Sequence, residues 1–257
     1  MRFVKKMIEE EQYLNNIIVG DSLEVLKTIP DESIELVVTS PPYNIRNTTG
    51  GGFKRKGGAS KWKNAALING YSDHSDDMPH EEYVENQRAV LAELFRIIPD
   101  NGAIFYNHKW RVQNGLMQDR RDIIEGLPLR QIIIWQRAGG INFNDGYFLP
   151  TYEVIYMLCK PDFMLAPKGN LHGDVWKITQ DNDNDHPAPF PLELPDRIIA
   201  ATTANTILDP YMGSGTTGVA AVRNKRNYVG IEISTEYAST AMQRIEKERN
   251  AEKLLNF

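Results

Sequence analysis

A single cysteine, Cys159, is the only thiol in 257 residues, which excludes an internal disulfide and a cysteine-rich metal centre. The five histidines (His74, His80, His108, His172 and His186) are scattered, with no HxH or HExxH pair, so no metal site is expected. No apolar run approaches the length of a membrane span. The opening "MRFVKKMIEEEQY" lacks the apolar core of a signal peptide, and the expectation is a cytoplasmic protein with no membrane partner. The chain also lacks an excess of positive charge: a formal net charge of −5 excludes a uniformly basic nucleic-acid coat, though not a local basic patch. There is no internal repeat. The length suits one large α/β domain with a sizeable core, or a domain with a small insertion.

Regular elements alternate along the chain. "NNIIVG" and "IELVVTS" read as strands around a helical "DSLEVLKTIPDE", with Ser22 near its start and Pro30 past its end. "MPHEEYVENQRAVLAELFRIIPDNG" reads as a helix from Pro79 to Gly102, with Val84, Leu91, Phe95 and Ile98 as its core stripe. "AIFYN", "LRQIIIWQ" and "TYEVIYMLCK" read as strands. "PLELPDRIIAATT" (helix), "TILDPY" (strand), "GTTGVAAVRN" (helix), "RNYVGIEI" (strand) and a charged helix from about Ser234 follow. This alternation predicts a parallel-rich sheet covered on both faces. Two stretches break the pattern. Residues 46–78 form a glycine-rich basic segment carrying Arg46, Lys54, Arg55, Lys56, Lys61 and Lys63, expected to be a mobile loop that clamps a nucleic-acid backbone. Residues 138–185, rich in glycine, asparagine and aromatics, look like loops grafted on the sheet.

"LDPYMGSGTTGVAA" has the strand–glycine turn–helix layout of a nucleotide-binding corner. Gly213, Gly215 and Gly218 match G-x-G-x-x-G, and Glu232 ends the next strand, where an acid can grip ribose hydroxyls. The glycines admit a ligand close to the backbone, and the helix N-terminus favours an anionic group. In an ordinary dinucleotide fold this corner opens the chain, whereas here it comes late. The N-terminal units must therefore complete the sheet beside it, which predicts a circularly ordered sheet. Ligands bind outside the carboxyl ends of such strands. The early corner "TSPPYN" also follows a strand, so both corners should share one rim.

The pairing of "TSPPYN" with "DPYMGSGTT" resembles the S-adenosylmethionine-dependent amino-group DNA methyltransferases in their permuted, β-type order, over nearly the whole chain. The resemblance implies a Rossmann-like α/β methyltransferase sheet with helices on both faces, a single catalytic domain over residues 1–257, and an inserted target-recognition region at 138–185. It implies that Ser40 and the Pro41 carbonyl accept hydrogen bonds from an exocyclic amine, that Pro41 and Pro42 hold the corner rigid, and that Tyr43 stacks on a base flipped from double-stranded DNA. For S-adenosyl-L-methionine it implies Asp209, Gly213 and Gly215 at the methionine part, Thr216 and Thr217 at its carboxylate, and Glu232 at the ribose. Asp21 falls near the adenine, and His186, in "HPAPFP", in the segment that closes over the methionine end. Arg137, Asn142, Asn144, Lys168, Asn170 and His172 are the residues expected in the DNA groove. A separately encoded restriction endonuclease and a homodimer are the further partners this family suggests.

Ser40 leans toward cytosine N4, because adenine-N6 members usually carry Asp at that position; adenine N6 stays open. Cytosine C5 methylation is rejected, because Cys159 has no Pro-Cys context. "GDSL" at Gly20–Leu23, with Asp183 and His186 in "DNDH", matches fragments of serine hydrolases, with Ser22 as nucleophile. That reading leaves the glycine loop and "SPPY" without a role. A nicotinamide oxidoreductase built on the three glycines, and methylation of RNA or of a protein amide, are the remaining alternatives.

Overall fold

A computed structural model describes residues 8–44, 78–113, 115–137, 145–179 and 191–255. Its centre is an eight-stranded sheet in the order β1-β10-β9-β2-β3-β7-β6-β8. The strands are β1 (Asn16–Val19), β2 (Leu36–Thr39), β3 (Ala103–His108), β6 (Leu129–Gln136), β7 (Tyr152–Cys159), β8 (Val175–Lys177), β9 (Thr206–Asp209) and β10 (Asn227–Glu232). β4 (Arg111–Gln113) and β5 (Leu116–Gln118) form a separate hairpin. β7 alone runs antiparallel, between β3 and β6. β9 and β10, late in the chain, sit between β1 and β2, so the permuted order is observed.

Helices cover both faces. α2 (Ser22–Leu26), α3 (His80–Ile97) and α4 (Arg121–Ile124) pack on one, and α5 (Glu193–Ala200), α6 (Thr216–Arg223) and α7 (Thr235–Leu255) on the other; α1 (Glu10–Tyr13) precedes β1. Strand alternation divides the core. Leu36, Val38, Ala103, Phe105, Ile155 and Met157 face Leu194, Ile198, Val219, Ala241 and Ile245. Val37, Ile104, Tyr106, Val154 and Tyr156 face Val90, Leu91, Leu94 and Ile97. β2 is buried along its whole length, as a strand covered on both faces must be. Its buried Leu36, Val37 and Val38 each contribute about 1.5–3 kcal/mol.

Two expectations shift. The buried stripe of α3 is Tyr83, Gln87, Val90, Leu91, Leu94 and Ile97, while Val84 and Phe95 only flank it. Tyr83 and Gln87 are drawn inward because their polar atoms find partners on β3, His108 and Tyr106. Within 138–185, Val175–Lys177 is a sheet strand that pairs with β6 and buries Trp176, so that stretch is not wholly loop. Its single buried residue makes too short a pattern to read from sequence.

Candidate active site

β2 and β9 are parallel neighbours, so their carboxyl ends share one rim. Thr39, the last residue of β2, donates from its hydroxyl to Asp209 Oδ1 at 2.8 Å. Thr217 Oγ1 donates to Asp209 Oδ2 at 2.7 Å, and the Tyr211 amide donates to Oδ1 at 3.0 Å. Asp209 is 1% exposed. Burial, helped by the charge of Glu232, raises its carboxyl from 3.8 to about 6 against these three donors. Asp209 therefore joins the two corners from inside. The Thr217 hydroxyl is committed to that join and fully buried, which corrects its expected place at a cofactor carboxylate.

The glycine loop is built for a close turn. Gly213 and Gly215 have φ of +51° and +85°, and Gly215 caps the N-terminus of α6. A Cβ on Gly215 would lie 2.8 Å from Ala241 Cβ, and one on Gly218 would lie 2.4 Å from Ile245 Cδ1. Gly218, the third glycine of the motif, thus serves the packing of α7 on α6. Glu232 Oε2 accepts from the Gly213 amide at 2.7 Å, and Oε1 from the Ser234 amide at 2.9 Å. Asp21 caps α2 through the Glu24 amide at 3.1 Å, and the Gly20 amide donates to the Glu232 carbonyl at 2.9 Å, which puts Asp21 beside the same rim. A tight positive-φ loop, a helix N-terminus and acids at the ends of β10 and β1 are donor and acceptor sets that fit a nucleoside joined to an anionic amino-acid tail.

Next along the rim, Ser40, Pro41, Pro42 and Tyr43 leave β2. Tyr83 Oη donates to the Pro42 carbonyl at 2.8 Å, while no hydrogen bond among the described residues engages the Pro41 carbonyl. The Tyr43 ring lies 4.9 Å from the His108 ring at 31°. Ser40 Oγ and Tyr43 Oη are 2.7 Å apart, Tyr43 Oη donates to Glu153 Oε2 at 3.0 Å, and Asn107 Nδ2 lies within 3.2 Å of all three side chains. Asn107, His108, Tyr83 and Glu153 were not found from the sequence. The signal that could have found two of them is a polar residue at the rim end of an apolar strand: Asn107 after "AIFY", and Glu153 before "VIYML".

Other expected residues fall elsewhere. Arg137 follows β6 onto this rim, but its guanidinium pairs with Glu153 at 3.5 Å and its side chain is 13% exposed. It is no free arm for reading a groove. Lys168 and Asn170 do not reach the rim: they flank Gly169, whose position abuts the Ala201 carbonyl where α5 ends, on the approach to the amino end of β9. The chain reaches them from the far end of the antiparallel β7, which is why sequence proximity to the loops misled. His172 lies in that same segment, before β8. Phe148, 98% exposed, stands on the connection that returns from β6 to β7 on the Ser40 rim. His186, Arg46, Lys54, Arg55, Lys56, Lys61, Lys63, Asn142 and Asn144 lie outside the described residues. Cys159 ends β7 at the opposite edge, 3% exposed, with burial pushing its thiol up to about 11, which agrees with the rejection of a cysteine nucleophile. Ser22 donates its hydroxyl to the Pro210 carbonyl and so ties α2 to the loop after β9. Among the described residues no helix is long and apolar enough to cross a membrane, and no cluster of His, Cys, Asp or Glu suits a metal ion.

Residues 34–243 match the family model of the N6/N4 methyltransferases, described as DNA methylase. The chain belongs to the N6/N4 DNA methylase family. This methylase is 29% identical to the Type II methyltransferase M.BglII of Bacillus subtilis, over 91% of this chain and 69% of that one. It is 26% identical to the Type II methyltransferase M2.MboI of Moraxella bovis, over 94% and 91%. Among solved structures, a Thermus thermophilus protein described as a DNA modification methylase, complexed with S-adenosyl-L-methionine, superposes with a TM-score of 0.66 at 26% identity, over 91% of this chain and 94% of that one. The cytosine-N4-specific PvuII DNA methyltransferase superposes with a TM-score of 0.68 at 20% identity, over 91% and 90%, which shows a shared Rossmann-like fold. The methylase is therefore an S-adenosyl-L-methionine-dependent DNA methyltransferase of the cytosine-N4 or adenine-N6 kind. The serine hydrolase and oxidoreductase readings fall with that.

Proposed function

We propose that the chain methylates the N4 amino group of cytosine in duplex DNA, on a base flipped into the Ser40 corner. The observation that carries this reading is the rim itself, where the glycine loop and the serine corner are held side by side through Asp209 and Thr39. Bound S-adenosyl-L-methionine supplies an electrophilic methyl group. Glu232 and Asp21 would hold its nucleoside end. The Gly213–Gly215 backbone, Thr216 and the first turn of α6 would hold the amino-acid end, where unpaired helix amides favour a carboxylate.

The amine of cytosine is a poor nucleophile because its lone pair is conjugated with the ring. Ser40 Oγ and the Pro41 carbonyl accept its two hydrogens and so turn the lone pair out of conjugation. Pro42, fixed by its ring and by Tyr83, keeps that carbonyl in place. Tyr43 stacks on the base, backed by His108. Phe148 contacts the DNA from the same rim. The basic residues Lys54, Arg55 and Lys56 in 46–78, with Arg46, Lys61 and Lys63, bind the phosphate backbone, and Asn142 and Asn144 in the 138–144 segment read the target site. The relatives named as Type II methyltransferases support a partner restriction endonuclease encoded separately. The deciding experiment is incubation with S-adenosyl-L-methionine and unmethylated DNA, digestion to nucleosides and mass spectrometry. N4-methylcytosine is expected; N6-methyladenine would overturn the base assignment, and no methylated nucleoside would overturn the reading.

A further inference from the structure

Behind Ser40, four side chains make five polar contacts, and they do not hold enough hydrogens to fill them all. Ser40 Oγ–Tyr43 Oη is 2.7 Å, Tyr43 Oη–Glu153 Oε2 is 3.0 Å, and Asn107 Nδ2 lies 2.7 Å from Tyr43 Oη, 3.0 Å from Glu153 Oε2 and 3.2 Å from Ser40 Oγ. The serine and the tyrosine bring one hydrogen each, the amide brings two, and a carboxylate paired with Arg137 brings none. Glu153 is 6% exposed and Asn107 2%, so water does not settle the matter for them.

With the four hydrogens placed on the four shorter contacts, the direction of each of those bonds follows. Glu153 Oε2 can only accept, so it takes the Tyr43 proton and one Asn107 hydrogen. Tyr43, having given its proton away, accepts from Ser40 and from the second Asn107 hydrogen. The longest contact, Asn107 to Ser40, is left with no hydrogen. Ser40 therefore turns its proton back toward Tyr43 and presents only lone pairs outward. We infer that Glu153 is a positioning residue that sets this direction, making Ser40 an acceptor for the substrate amine; the inference rests on the proposed role of Ser40. A serine hydroxyl can otherwise donate, and a proton aimed at the amine would occupy the lone pair that must attack the methyl group. An aspartate at that position would need no such control, because an ionised carboxylate only accepts.

The test is a double-mutant cycle on kcat, with KM for DNA and the Kd for S-adenosyl-L-methionine measured alongside. In Glu153→Gln the guanidinium of Arg137, a donor only, draws the amide oxygen and turns the amide hydrogens toward Tyr43. The chain then runs backward and throws the Ser40 proton at the substrate. The expected kcat is about 10- to 100-fold lower, the size of one hydrogen bond to a developing charge, with KM and Kd within about twofold. Tyr43→Phe keeps the ring, cuts the chain and should lose a similar factor. The double variant should lose no more than either single one, because Glu153 acts through the Tyr43 hydroxyl. Adding Arg137→Leu to Glu153→Gln frees the amide to turn its oxygen to Tyr43, and should recover at least about fivefold in kcat. Wild-type kcat in Glu153→Gln, multiplying losses in the cycle, or no recovery with Arg137→Leu overturns the inference. A wild-type protein that methylates no base overturns the proposed function instead.

Discussion

Asp209 is a buried acid whose folded-state titration lies above its unfolded one, and Asp209→Asn exposes what that means for stability. Burial raises the carboxyl from 3.8 to about 6, in spite of donors from Thr39, Thr217 and Tyr211. Between those two values the folded chain binds more protons than the unfolded chain, so stability falls as pH rises. The contribution is complete below about pH 3.8 and gone above about pH 6, and it amounts to about 3 kcal/mol in all. Most of it is spent at acid pH; between pH 5 and pH 7 the change is about 1 kcal/mol, or about 2–4 °C in Tm for a chain of this size. Asparagine fits the same space without titrating. Its carbonyl keeps the Tyr211 amide and the Thr39 hydroxyl, its amide donates to Thr217, and the displaced Thr217 proton can turn to the Val38 carbonyl, 3.5 Å away. The assay is denaturant unfolding of both proteins without cofactor at pH 5 and pH 7. The lead of wild type over Asp209→Asn should shrink at pH 7 by about 1 kcal/mol. A lead that is constant, or that widens with pH, would mean that Asp209 does not titrate above its unfolded value.

Other substitutions separate packing from binding. Gly215→Ala meets both a φ of +85° and the α7 backbone, and should cost about 2 kcal/mol or more together with affinity for S-adenosyl-L-methionine in calorimetry. Gly218→Ala meets side-chain atoms alone, Cδ1 and Cγ1 of buried Ile245 before Tyr228; it should lower Tm, with Ile245→Val added restoring part of the loss, and leave cofactor affinity within about twofold. Replacing Lys54, Arg55 and Lys56 by Gln should flatten the slope of log K against log salt by about 2 to 3, while Lys168→Ala should leave it unchanged. Phe148→Ala should weaken DNA binding by about 1–3 kcal/mol if the ring stacks on bases; unchanged affinity in an anisotropy titration would remove it from the interface.

The fold was legible because local patterns agree with it. "IELVVTS", "LRQIIIWQ" and "TILDPY" are apolar runs of strand length with clear stops, and the late glycine corner could only belong to a sheet completed by earlier strands. What failed was long-range or brief. β8 is three residues long, and its pairing with β6 leaves no periodic mark. Gly218 fits a ligand-binding pattern and a helix-packing need equally well in one dimension; only the position of Ile245 separates them. Thr217 lay where a carboxylate ligand was expected, but its hydroxyl answers Asp209, whose burial the sequence does not show. The polar cluster at Ser40 joins β2, β3 and β7 across more than a hundred residues of sequence, from Ser40 to Glu153. Asn107 and Glu153 were hidden inside strands read only for their apolar content.

Whether Ser40 acts on the base while the glycine loop holds the cofactor is read by comparing Ser40→Ala with wild type in two assays: binding of S-adenosyl-L-methionine by calorimetry, and transfer of its labelled methyl group to DNA. Wild-type cofactor affinity is expected, with transfer lowered by about 100-fold or more. Transfer at the wild-type rate, or loss of transfer only in step with loss of cofactor binding, would contradict that role of Ser40.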